Sequence, residues 1–310
     1  MSRSLLITGA TGKQGGAVID ALLASPKPNE FTILAVTRDP SSAGAQRLAA
    51  KSPHIKLVKG DLDAVPALFE EAQKVSAGMI WGVFSVQAVM SKGGDLANQP
   101  EVKQGEALID QAIKAGVSHF VYSSVDRGGD ERSWENPTDI PHFKTKHRIE
   151  HHLRDATVNT SMGWTILRPV IFMDNLAPGF PGKVFLTALR DTMGDKPMPW
   201  IATSDIGWFG AQAFLDPAKW NHRAISLGAD EFNFEELSKK FDRVTGQPAG
   251  TTYSFFGSAL MYAVKEVGTM VRWFRDDGYK VDVAELRRIH PGMLDMETWL
   301  REKSAFPKRE

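Results

Sequence analysis

Cysteine is absent from this 310-residue chain. That one absence excludes disulfides, a thiol nucleophile and cysteine-ligated zinc, and it favours a reducing compartment. Charge of one sign is missing too: Lys+Arg and Asp+Glu both number 37. Zero net charge provides no general field to draw the protein onto nucleic acid or an anionic membrane, so neither is expected as a partner. No apolar run approaches the ~18 residues a membrane span requires. The apolar run in "MSRSLLITGATG" stops at Gly9, too short for a signal h-region. A cytoplasmic protein is expected, with the nucleus left open. Repeats and low-complexity segments are lacking as well.

What the chain does have is apolar material for a core, 42% of its residues, in a regular order. Short apolar runs at 4–8, 31–37, 55–59, 79–84, 118–124 and 164–168 read as buried strands. Helix-length segments separate them, at 14–25, 41–51, 65–76 and 101–115. In the last of these Val102, Ala107, Leu108, Ala112 and Ile113 fall close to one face, and Gly116 follows as a C′ glycine. Alternation of this kind predicts an α/β fold, a Rossmann-type doubly wound parallel sheet covered on both faces. After Pro169 the pattern loosens. A dinucleotide-binding domain over 1–170 and a smaller C-terminal lobe over 171–310 are expected, with a cleft between them and the chain free to interleave.

"GATGKQGG" follows the first strand and opens the first helix. Gly9, Gly12 and Gly15 have the spacing G-x-x-G-x-x-G, which permits a tight turn, close approach to a pyrophosphate and close helix–strand packing. The helix N-terminus then offers free N–H groups to phosphate. Thr11, Lys13 and Gln14 lie in the same loop and join the candidate cofactor set. It is not a Walker loop, because Gly15 stands where the lysine would be. After the second strand comes "VTRD". A guanidinium at Arg38 suits the 2′-phosphate of NADP(H); Asp39 keeps NAD open, and Arg38 could also be a solvated loop residue.

Several segments resemble the NmrA-like family of atypical short-chain dehydrogenases/reductases: "GATGKQGGAVIDALL", "VTRDP", "KGDLDA", "GVSHFVYSSVDRGG", "HFKTKHRIEHHL" and "WTILRPVIFMDNL". "SDIGWFGAQAFLDPAKW" and "FEELSKKFDRVTGQP" extend the likeness over nearly the whole chain. The resemblance implies NADP(H) as cofactor, Asp61 and Leu62 flanking the adenine, Phe84 and Ser85 beneath ribose and pyrophosphate, and Lys146 at the nicotinamide ribose. In the reductases of that superfamily a tyrosine one helical turn before the lysine donates the proton, and a serine on the preceding strand orients the substrate. Here His142 occupies the tyrosine position, with Ser123 and Ser124 as the serine candidates. Tyr122, on the strand, reads as a packing residue.

Two functions follow. One is an NADP(H)-binding, redox-responsive regulator with little or no turnover, its cleft meeting a small molecule or a regulatory protein. The alternative is an NADPH-dependent oxidoreductase of a small apolar carbonyl or enone, with His142 or water as proton donor, a role for which an imidazole is suited near neutrality. The substitution at 142 favours the first.

Other features read as structural. "HRIEH", His147–His151, matches an inverted zinc-peptidase signature, but no third ligand follows and no metal is expected. The apolar stretch 255–274 is read as one helical segment packing on the core of the lobe. The loop 127–137, with Trp134, is expected at one rim of the cleft.

Overall fold

A computed structural model describes residues 3–76, 78–88 and 94–309. Ten strands form among them: β1 (Arg3–Ile7), β2 (Phe31–Thr37), β3 (Ile55–Lys59), β4 (Ile80–Ser85), β5 (His119–Ser123), β6 (Gly163–Pro169), β7 (Ile171–Phe172), β8 (Met198–Ile201), β9 (Arg223–Leu227) and β10 (Asp230–Phe232). The apolar runs therefore become strands with ends displaced by a residue or so. A seven-stranded sheet has the order β3-β2-β1-β4-β5-β6-β9, and the pairings from β3 through β6 are parallel. Because the order reverses between β1 and β4, the carboxyl ends of those two strands flank a switch point, the place where open α/β sheets bind ligands.

The strands are buried because helices cover them. Leu5, Leu6, Ile7, Val83, Phe84, Phe120 and Val121 are each wholly inaccessible. The helix Lys13–Leu23 turns Val18, Ile19 and Leu22 inward. The helix Pro100–Lys114 buries Glu101, Val102, Gln104, Gly105, Leu108, Ile109 and Ala112. That stripe differs from the one expected, for Ala107 is exposed and Ile113 only half-buried. Gly116 has φ 70°, and its N–H closes the helix onto the Ile113 carbonyl at 3.0 Å, as a C′ glycine does.

The chain forms two compact units. The first comprises residues 1–125, 142–168 and 206–225, the second 126–141, 169–205 and 226–310. The expectation of 1–170 and 171–310 thus meets a chain that crosses more often: 126–141 joins the second unit and 206–225 returns to the first. Phe209, Phe214 and Trp220 are buried in that returning segment.

The second unit holds a three-stranded sheet, order β10-β8-β7. Within it Asp126, wholly buried, accepts the Ser226 hydroxyl at 2.6 Å and the N–H groups of Gly128, Gly129 and Lys280 at 2.9–3.0 Å. Burial pushes its carboxyl above the usual range, while these donors pull the other way. The loop 127–137 contains a short helix, Arg132–Glu135, with Arg127 and Ser133 buried. The stretch 255–274 is two helices, Ser254–Ala263 and Lys265–Asp276, separated at Val264. Only the second has the core role expected, burying Val271, Trp273 and Phe274; the first leaves Phe255 73% and Tyr262 88% exposed. Among the described residues, no helix is long and apolar enough to cross a membrane.

Candidate functional site: a cavity at the sheet switch point

The site lies in the first unit and begins where β1 ends. The Thr8 hydroxyl bonds the Phe84 carbonyl at 3.1 Å and the Val86 N–H at 2.9 Å, tying the ends of β1 and β4 together. The chain then turns at Gly9, whose φ of 59° lies in the left-handed region. A Cβ at Gly15 would stand 2.5 Å from the carbonyl oxygens of both Thr8 and Gly9, so only glycine lets the helix start this close to the strand. Gly12 is the N-cap and supplies no side-chain cap, and the first helical turn contains no acidic residue. No carboxylate therefore neutralises the positive end of that helix, which suits an anion.

Beside this loop is a cavity of about 470 Å3 lined by Thr8, Gly9, Thr11, Val36, Thr37, Arg38, Asp39, Ser42, Gly60, Asp61, Leu62, Val86, Ala88 and Gln104. Of the candidates, Gly9, Thr11, Arg38, Asp61 and Leu62 line it. Gly12, Lys13, Gln14 and Gly15 do not; they form the turn and helix start. Phe84 and Ser85 are fully buried, so β4 presents Val86 and Ala88 to the pocket instead. The Asp61 carboxylate accepts the Asp63 N–H at 3.0 Å and caps the turn Leu62–Ala64. Gln104, not foreseen, reaches the lining from the helix Pro100–Lys114, where its amide donates to Asp63 at 2.7 Å.

Arg38 and Asp39 differ in what already holds them. One oxygen of Asp39 accepts both the Ser41 hydroxyl, at 2.5 Å, and the Ser41 N–H, at 2.9 Å. These bonds hold the Asp39 carboxyl below its ordinary range. The exposed Arg38 guanidinium has no hydrogen-bond or ion-pair partner among the described residues.

The residues expected near the nicotinamide share this unit but do not line the cavity. Lys146, 7% exposed, sits on the helix Pro141–Thr157. Its ammonium lies 2.9 Å from Glu101 Oε1 and 3.5 Å from the Ser123 carbonyl, with the Tyr122 ring centroid 5.8 Å away. The Ser123 hydroxyl is bonded to the Gln14 side chain. Ser124 is 4% exposed, and its N–H donates to the Leu167 carbonyl at 2.7 Å. His142 is half-buried, its ring edge-on to Phe143 at 4.7 Å. Tyr122 is wholly buried, as a packing residue should be.

Sequence reasoning misses Glu101, although its signal is there. Residues 101, 104, 105 and 108 follow helical spacing, so a carboxylate stands on the inward stripe.

The zinc-like motif resolves differently. Glu150 gives its carboxylate to Arg168 at 2.7 Å, with both side chains wholly buried. Among the described residues, no cluster of three or more metal-ligating side chains exists.

A model of the NmrA-like family matches residues 1–300. An NmrA-like family domain-containing oxidoreductase from Aspergillus hancockii is 29% identical over 339 aligned residues, covering 99% of this chain and 97% of the relative. Among solved structures, NmrA, a negative transcriptional regulator in complex with NADP, aligns at TM-score 0.68 and 21% identity, covering 97% of this chain and 95% of its own. Triphenylmethane reductase from Citrobacter sp., complexed with NADP(H), aligns at 0.69 and 18% identity, covering 96% and 98%. At those identities the solved structures support the fold.

Proposed function

From a chain that belongs to the NmrA-like family, we propose an NADP(H)-dependent oxidoreductase that holds the nucleotide in the pocket at the end of β1. The observation that carries the cofactor choice is the contrast at the tip of β2. Asp39, the group that would take a ribose 2′-hydroxyl, is engaged by Ser41, while Arg38 faces the same pocket with its guanidinium unclaimed. A 2′-phosphate complements that arrangement better than a hydroxyl does. The cavity volume is within the ~300–1,000 Å3 of ordinary ligand sites.

Turnover is supported by the relative's name and by Lys146. A buried ion pair is a poor device for stability, since apolar residues of similar volume serve as well or better. Its presence beside the cofactor loop fits a use for the ammonium. The bound nucleotide would supply a hydride to an acceptor carbon. The accompanying proton would come from His142 or from water, because no phenol stands one turn before Lys146.

That same histidine favours a second reading, a nucleotide-responsive regulator. For it, NADP+ and NADPH must differ in affinity or in the conformation they favour, because a ligand that binds two states equally shifts neither. One experiment separates the two: incubation with NADPH and a panel of small apolar carbonyls and enones, following the reduced-nicotinamide absorbance. Consumption at about 1 per second or faster supports the oxidoreductase. Saturable NADPH binding with no acceptor consumed, alongside different hydrogen exchange with the two redox forms, supports the regulator. Absence of nucleotide binding refutes both.

A further inference from the structure

Glu101 is 1% exposed, yet it is charged and sits on the inward face of its helix. Its two oxygens lead to one neighbour. Oε1 lies 2.9 Å from Lys146 Nζ, and Oε2 accepts the hydroxyl of Thr145, the residue just before that lysine, at 2.5 Å. Thr145 in turn reaches the His142 carbonyl at 2.9 Å. We propose that Glu101 is the positioning residue of the cofactor site: with Thr145 it fixes the Lys146 ammonium in place before nucleotide arrives. The proposal rests on the NADP(H) reading above and deepens it.

The groups that face Lys146 single out Glu101. Its own helix contributes Glu150 one turn further on, but Arg168 holds that carboxylate. From β5 come the Tyr122 ring and the Ser123 carbonyl, both uncharged. Glu101, from the neighbouring helix, is the anion in direct contact. An ammonium this buried is costly without a counter-charge, so without Glu101 the side chain would leave for solvent and the ligand would have to order it again on binding.

The geometry also leaves capacity for a ligand. The Ser123 carbonyl takes one of the three ammonium hydrogens, which leaves donor capacity for a ribose hydroxyl. Glu101 Oε1 is at ion-pair distance but has no aligned hydrogen bond. It can therefore accept a hydrogen from that same hydroxyl, so the pair offers a neutral diol one donor and one acceptor.

The test uses the full-length protein and two readouts. In the nucleotide-free protein, amine-directed labelling read by mass spectrometry reports how far Lys146 is shielded. Glu101→Gln should raise labelling at Lys146 several-fold over wild type. In NADPH titrations Glu101→Gln should weaken affinity ~10–100-fold, the range for losing a charged hydrogen-bonded contact. On a Lys146→Met background the same substitution should cost less than about twofold, because a residue acting through Lys146 has nothing left to position. Thr145→Val, a milder change, should move both readouts in the same direction and serves if the glutamine variant does not fold. Unchanged labelling, or an undiminished loss on the Lys146→Met background, would overturn the positioning role. Labelling needs no nucleotide, so it stands even if NADPH proves to be the wrong ligand.

Discussion

Truncation of Arg38 to alanine isolates the cofactor choice. The guanidinium lines the proposed nucleotide pocket without a protein partner among the described residues, so its removal leaves no group stranded and subtracts one interaction with the ligand. A charge-assisted hydrogen-bonded contact is worth about 1.5–3 kcal/mol. Because Arg38 is exposed, solvent and salt screen it, and the lower half of that range applies. NADPH affinity should fall roughly 10–40-fold, while NADH, lacking the 2′-phosphate, should change by less than about twofold. Ser41→Ala is the companion. It removes the 2.5 Å hydroxyl donor to Asp39 but keeps the 2.9 Å backbone donor. With one donor fewer orienting it towards Ser41, the carboxylate turns more easily to a ribose hydroxyl, and NADH binding should tighten. Fluorescence titration of both reduced nucleotides at two ionic strengths is the assay, with NADPH expected to show the steeper salt dependence. Equal losses of NADPH and NADH in Arg38→Ala would refute the assignment. So would no change in NADPH.

Gly15→Ala should abolish tight nucleotide binding and lower stability by ~1–3 kcal/mol, the usual cost of overpacking, since its Cβ meets two carbonyl oxygens that cannot swing aside; thermal melts and NADPH titration check both. Asp205 supplies a pH signature. Burial, opposed by the Leu294 N–H, raises its carboxyl from 3.8 to about 7. Between those values the folded chain holds a proton the unfolded chain has lost, so this group costs stability as pH rises from about 4 to 7. The full span is on the order of 4 kcal/mol. Asp205→Asn should therefore gain on wild type in urea melts as pH rises through that window, and a pH-independent difference would contradict the burial argument.

The sheet was legible because a strand covered on both faces must be largely apolar, as "FTILAVT" is. The glycine turn was legible because steric exclusion at Gly15 leaves a mark on sequence. Legibility failed where a residue's fate depends on distant chain. Phe84 and Ser85 look like the end of a strand open to ligand, yet the staple from Thr8 carries the opening to Val86 and Ala88. The break at Val264 has no proline or glycine to announce it; the backbone leaves helical geometry there, at φ −109° and ψ 83°. Glu101 reads as an ordinary first-turn acid, and only the facing helix reveals the ammonium that justifies its burial. Asp39 reads as a rival to Arg38 in sequence, whereas in the fold Ser41, two residues on, holds it.

The interleaved chain has a consequence for biosynthesis. The first unit needs residues 206–225, which bring Phe209, Phe214 and Trp220 into its interior and the start of β9, residues 223–225, to its sheet. A nascent chain that has emerged only to residue 170 therefore holds the whole glycine-rich loop but lacks part of the wall behind it. At about 5–20 residues per second, the ribosome delivers the missing piece some seconds later, with the intervening segment 169–205 destined for the other unit. During that interval the apolar face awaiting those aromatic rings is open to chaperones. A gene fragment ending near 170 would leave it open permanently, yielding an aggregating stump instead of a minimal nucleotide-binding domain.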